Sequence, residues 1–240
     1  MDRNRNRVLR ALVMSICVML FCTGCSASPS SQPEPDAGTQ DSRSSARIAA
    51  SLSDYAQSLL DSDESGPTPM AQSQREILQK AADTGEITAG DYERAWAGYR
   101  QCVVDRGWTD PVLRRYPNGI IENSSMDISG LTEDQDRQVT RDAVECTNLY
   151  VRDVATVYGF QVGNASLLQD ADSAIVDCLH QANLVPSDYD ATTFRRERPL
   201  YLDDENTVLD FSDMEVRGCF AANGSGSLGN EHDESWRPLG

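Results

Sequence analysis

Histidine and lysine are almost missing from this chain: His180 and His232 are the only histidines and Lys80 the only lysine among 240 residues. The scarcity of histidine removes the commonest general base and metal ligand. His180 stands two positions after Cys178, off the apolar face of its segment, and His232 lies near the C-terminus. Neither has a serine or cysteine at motif spacing, so a catalytic triad has no support. Basic surface is scarce as well. The formal net charge is −17, and residues 1–24 carry four arginines and one aspartate (+3), which leaves −20 for residues 25–240 by subtraction. A surface this acidic repels phosphate backbones and has no polybasic attraction for anionic lipid. Nucleic acid is therefore excluded as a partner, and membrane residence must come from an anchor. Nucleotide-binding and other cofactor motifs are also missing, so no cofactor is expected.

What is present begins with "MDRNRNRVLRALVMSICVMLFCTGC". Arg3, Arg5, Arg7 and Arg10 make a positive n-region, and residues 11–22 an apolar stretch interrupted by Ser15. That is the pattern of an export signal, and it is short of the ~20 apolar residues of a spanning helix. Its end, Cys22-Thr23-Gly24-Cys25, resembles the bacterial lipobox, with small residues before a cysteine that receives a diacylglyceryl group. Phe21 would sit at the cleavage position if Cys22 were modified, so Cys25 is the expected lipid carrier, and Cys17 and Cys22 leave with residues 1–24. An ordinary cleaved signal or an uncleaved anchor is the plainer alternative. More than one acyl chain, at about 0.8 kcal/mol per buried methylene, gives stable anchoring. Residues 25–46, rich in Ser, Pro, Asp and Gln, read as the lipidated cysteine and a disordered tether with a reach of about 25 Å. Residues 223–240 read as a frayed tail.

Residues 47–222 carry helical periodicity. Ile48, Leu52, Tyr55, Ala56 and Leu59 lie on one face, and residues 70–83 form a helix closed by Gly85. Thr88 and Asp91 stand at capping-box spacing before a face of Tyr92, Ala95, Trp96, Tyr99, Cys102 and Val103, closed by Gly107. Thr132 and Gln135 open a long helix through Val139, Ala143, Cys146, Tyr150, Val154 and Val157. A further helix is expected from about Ala165 to Ala182, and Ser212 with Glu215 caps a last one carrying Val216 and Cys219. Asn118-Gly119 marks a β-hairpin, and Asp203 to Asn206 a similar turn. The expected fold is mainly α with small hairpins, one domain of two units, about 88–160 and 165–222.

Four cysteines remain after the signal: Cys102, Cys146, Cys178 and Cys219. An even count in an exported chain reads as two disulfides, and their wide separation does not match the close pairs of a zinc site, so no metal is expected. An internal repeat selects among the three pairings. "YRQCVVDRGW" aligns with "IVDCLHQANL": Cys102 falls on Cys178, Val103 on Leu179, Gly107 on Asn183 and Trp108 on Leu184. Gly and Asn both tolerate the left-handed backbone that ends a helix. One bridge per repeat gives Cys102–Cys146 and Cys178–Cys219, each stabilising by about 4 kcal/mol in the chain-entropy picture.

The segment "REILQKAADTGEITAGDYERAWAGYRQCVVDRGW", with the lipobox-like start, resembles small exported lipoproteins of high-GC Gram-positive, actinobacterial type. The resemblance implies a cell-envelope lipoprotein on the outer face of the cytoplasmic membrane and carries no functional residues with it. Two functions fit. One is a non-catalytic binding or accessory module that meets the membrane through its anchor and takes an envelope protein or small ligand. The other is a cell-wall hydrolase working through paired carboxylates, with Asp188, Asp190, Asp203 and Asp204 as the candidates. The first is expected, because no nucleophile or metal motif supports the second. "DSDESG" begins like a calcium loop at Asp61, Asp63, Ser65 and Gly66, but Gln72 and the prolines 67 and 69 spoil it, leaving an acidic linker. Tyr92, Trp96 and Tyr99 could line a groove, although their helical spacing reads first as core.

Overall fold

The computed structural model describes residues 46–66, 69–200, 207–226 and 233–240, all within one compact unit, Ala37–Gly240. Eight helices are described: α1 Leu52–Glu64, α2 Gln72–Thr84, α3 Ala89–Asp105, α4 Glu133–Tyr150, α5 Arg152–Gly163, α6 Ala171–Gln181, α7 Ala191–Glu197 and α8 Met214–Ala222. A two-stranded antiparallel hairpin, β1 Leu113–Arg115 and β2 Ile121–Asn123, lies between α3 and α4. The architecture is mainly α with one small hairpin.

Most helix starts are written locally. Ser51, Thr88, Thr132, Asp170 and Asp190 each accept a hydrogen bond from the backbone N–H three residues on, satisfying a donor that the first turn leaves open. Thr132 and Gln135 form the full reciprocal box. α3 is held to the hairpin by one hydroxyl: Tyr92 Oη donates to the Ile121 carbonyl (3.2 Å) and accepts from the Ile121 N–H (3.0 Å). The hairpin turn is longer than the Asn-Gly pair alone. Tyr116 N–H donates to Ile120 O and Gly119 N–H to Tyr116 O, with Gly119 at φ +86°.

Two cores result. The larger gathers α1 to α5 and the hairpin around Leu78, Tyr99, Val103, Val139 and Val154; the smaller joins α6, α7 and α8 around Ile175, Leu179, Phe194, Phe211 and Phe220. α1 and α2 share the larger core with the first cysteine unit. Both bridges form as the repeat requires: Cys102–Cys146 joins α3 to α4 and Cys178–Cys219 joins α6 to α8, each with Cα atoms 5.7 Å apart. The aligned helix ends also agree, since Gly107 (φ +92°) and Asn183 (φ +57°) are both left-handed. Leu184 N–H reaches back to Leu179 O, and Trp108 packs into the larger core. Asn183→Gly is therefore expected to be neutral within about 0.5 kcal/mol, whereas Asn183→Val should cost about 1–2 kcal/mol for a forced left-handed residue. Urea midpoints of the two variants check this.

Several expectations are corrected. The long helix from Thr132 is two helices: Val151 (φ −137°, ψ −27°) breaks it while keeping the same buried face. The helix expected from Ala165 starts only at Ala171. Buried Asn164 brackets Leu168 with two side-chain hydrogen bonds, and Leu167 is left-handed at φ +51°, so 165–170 is a folded loop. Arg47 pairs with Leu168 there as an antiparallel bridge, which puts Ile48 ahead of α1 rather than on its face. Asp213, not Ser212, caps α8, because Asp210 has taken the Ser212 hydroxyl and N–H. α7 was not expected at all. Residues 203–206 lie outside the described residues.

The frayed tail is also corrected for residues 233–240. Trp236 is 4% exposed in the larger core and pairs with Met126 in a parallel bridge. Its indole N–H donates to Thr109 Oγ1 (2.8 Å), and Asp233 bridges Arg217 (2.7 Å) and Arg114 (2.8 Å). One aromatic anchor and one shared carboxylate thus dock a segment whose neighbours are polar.

Candidate functional site

α5 carries glycine at 159 and 163, four apart and so on one face. The end of α8 fits against this face. A Cβ added at Gly159 would lie 2.5 Å from Ala222 O, and one at Gly163 would lie 2.4 Å from Ala222 Cβ and 3.6 Å from Cys178 Sγ. This close approach seats the smaller core on the larger one. Beside the seam the hairpin turn comes down on α8, and Gly218 makes room for it: a Cβ there would stand 2.9–3.1 Å from the Asn118 amide.

Between these contacts opens a cavity of about 370 Å³. Val162 of α5, Ala182 at the end of α6, Pro117 and the Cys178–Cys219 bridge give it apolar walls; Asn118, Gln181 and Glu215 give it polar ones. The size lies within the ~300–1,000 Å³ of small-ligand sites. The polar groups differ in what they have left to offer. Gln181 Nε2 donates to Asp177 Oδ2 (2.9 Å). Asn118 Oδ1 accepts the Ile120 N–H (3.2 Å), which fixes the orientation of the amide. Its Nδ2 is then buried, with no hydrogen-bond partner among the described residues. Glu215 is exposed in the first turn of α8, and its carboxylate makes no hydrogen bond or ion pair among the described residues, although its backbone N–H is used by Asp213.

A second cavity, about 310 Å³, contains Asp63, Arg152 and Asp153. Its carboxylates are committed. Asp63 accepts from Met70 N–H (2.7 Å) and pairs with Arg75, while Asp153 is held by Arg152 Nε and Nη2 (2.8 and 3.1 Å). Asp61 accepts from Gln57 instead, so the acids of the calcium-like stretch serve different partners.

The remaining candidates disperse. Cys25, Asp203, Asp204 and His232 lie outside the described residues. Asp188 and Asp190 are both exposed. Asp190 caps α7, and the Thr193 N–H and hydroxyl hold its carboxyl below the ordinary aspartate range. Tyr92, Trp96 and Tyr99 are core: Tyr92 stacks on Tyr158 at 4.0 Å, Trp96 meets both tyrosines edge-on, and burial pushes the Tyr99 hydroxyl up to about 12. His180 Nε2 meets the Tyr189 carbonyl (2.7 Å), and as the partner is an acceptor that nitrogen carries the proton. Among the described residues no cluster of His, Cys, Asp or Glu is arranged to hold a metal, and no helix is long and apolar enough to cross a membrane.

The cavity has no signature in the sequence: Asn118 and Glu215 each have a local role there, as turn and cap, and no local signal brings them together. No protein-family model, curated protein or solved structure matches the chain.

Proposed function

We propose that this chain is a lipid-anchored cell-envelope protein of actinobacterial type, held on the outer face of the cytoplasmic membrane through Cys25, and that it works as a non-catalytic binding or accessory module. The observation that carries the binding reading is the cavity beside the Cys178–Cys219 bridge: apolar walls and the polar residues Asn118, Gln181 and Glu215 share a concave surface whose two cysteines are locked together. Both bridges suit an oxidising compartment, which agrees with the export signal. The described carboxylates of the hydrolase reading, Asp188 and Asp190, stand on the surface, and Asp190 is spent as a cap, so no observation favours that reading.

Lipid attachment is tested by intact-mass analysis of the membrane-extracted protein. The expected mass corresponds to a chain starting at Cys25 and carrying at least a diacylglyceryl group. Cys25→Ser should shift the protein into the medium or leave the precursor unprocessed. An unmodified N-terminus at any other residue would overturn the anchor.

A further inference from the structure

Two elements face each other across the cavity, the hairpin turn with Pro117 and Asn118 and α8 with Glu215 and Cys219. One carboxylate ties them together. Asp233 meets Arg217 of α8 with both oxygens (3.1 and 2.7 Å) and Arg114 of β1 with one (2.8 Å). Arg217 directly precedes Gly218, the seat of the Asn118 amide, and Arg114 stands three residues before Pro117. Arg217 is 3% exposed, and the ring of Tyr116, in the turn, lies 5.9 Å from its guanidinium carbon. A buried ion pair that loses one partner is strongly destabilised, since the charge left behind must find water or another counter-charge.

Asp233 arrives on a segment with few deep contacts. Of residues 233–238 only Trp236 and Pro238 are buried. The backbone runs beside residues 125–127: Trp236 N–H donates to Ser125 O and Asp127 N–H to Trp236 O (both 2.8 Å), while Thr109 N–H donates to Pro238 O (3.0 Å). A segment held in this way opens at a fraction of the free energy of global unfolding.

We propose that residues 233–238 are a latch that sets the width of the cavity. Docked, they hold the hairpin turn against α8. In the lifted state the Arg217 side chain turns outward to water, Tyr116 moves aside and the turn comes off Gly218. The mouth then widens beside the Cys178–Cys219 bridge. The coupling is reciprocal: a ligand that wedges the turn away from α8 loosens the latch by the same free energy. The proposal rests on the binding reading for its purpose and adds regulation to it.

The bridge itself reports the opening. Cys178 and Cys219 are 7% and 2% exposed, so the speed of their reduction follows the width of the cavity. Cys102–Cys146 stands outside the cavity and serves as the reference. The test is limited reduction of the full chain in detergent with dithiothreitol, followed by alkylation and peptide mapping of both bridges. Asp233→Asn keeps the shape and removes the charge. It should speed reduction of Cys178–Cys219 at least about tenfold and leave Cys102–Cys146 within about twofold. Arg217→Met added to Asp233→Asn should slow the reaction again, because the buried charge that drives the opening is gone. Thr109→Val removes the acceptor of the Trp236 indole (2.8 Å), leaves the ion pairs in place and should accelerate the same bridge by about threefold. Equal acceleration of both bridges, no acceleration in either single variant, or a double variant as fast as Asp233→Asn would overturn the latch. If circular dichroism shows Asp233→Asn to be unfolded, Thr109→Val decides by itself. A latch refuted in this way leaves the binding reading standing, because no ligand enters the assay.

Discussion

Gly159→Ala and Gly163→Ala are each expected to lower stability by about 1–2 kcal/mol net, although alanine is the better helix former. Two effects compete. Replacing glycine inside a helix gains up to about 1 kcal/mol in propensity, and less at Gly163, the last residue of α5. Against this, overpacking a well-filled contact costs about 1–3 kcal/mol. The new methyl groups would stand 2.4 Å from Ala222 Cβ and 2.5 Å from Ala222 O, inside any van der Waals distance, so the clash wins. The two sites differ in a way that can be read out. At Gly163 the obstacle is a side-chain atom, so adding Ala222→Gly should recover much of the loss. At Gly159 the obstacle is a backbone carbonyl, which no substitution at 222 removes, so Ala222→Gly should recover nothing there. Denaturant unfolding of the two single and two double variants checks both. Equal rescue at the two positions would show that the helices simply slide apart and that the seam is not tight.

The seam shows what the sequence can and cannot disclose. The positions of α3 and its cap were legible because every determinant is local: Thr88 before it, the Tyr92–Val103 face along it, Gly107 after it. The bridges were legible because the repeat placed Gly107 above Asn183 and so carried a backbone conformation, not merely a residue type, from one unit to the other. The spacing of Gly159 and Gly163 says only that two small residues share a face; what fills the space comes from a helix some sixty residues on. The docked C-terminal residues were hidden for a related reason. Serine, glycine and charge dominate residues 223–240, and that composition outweighs one tryptophan until Thr109 and Arg217 are seen to receive Trp236 and Asp233. The cavity required the same kind of meeting, since Asn118 and Glu215 already have adequate local explanations.

The break at Val151 is the clearest case, because the buried pattern of Val139, Cys146, Val154 and Val157 runs across it unaltered. Neither proline nor glycine interrupts the chain there, and the partner that makes the break tolerable is remote. Gln74 of α2 is 0% exposed. Its Nε2 donates to the Asn148 and Leu149 carbonyls (both 2.9 Å), and its Oε1 accepts from the Asp153 and Val154 N–H groups (3.0 and 3.4 Å). One amide thereby closes the end of α4 and caps the start of α5. Gln74→Leu, similar in volume but without polar atoms, should cost about 2–4 kcal/mol. Loss of a helix N-cap alone accounts for about 0.5–2 kcal/mol, and the Asn148 carbonyl loses its Gln74 donor as well, whereas Leu149 O keeps the Ala71 N–H. Gln74→Glu separates the two roles. It keeps an acceptor, now charged and favoured at a helix N-terminus, but it turns an anionic oxygen toward two carbonyls. If capping of α5 dominates, Glu should be the milder substitution; if closing α4 dominates, it should be as damaging as Leu. Urea unfolding at constant m-value ranks the two, and hydrogen exchange at Asp153 and Val154 shows whether the start of α5 frays. A Gln74→Leu variant as stable as the wild type, with both amides still protected, would mean that the break is held by packing of Val151 alone.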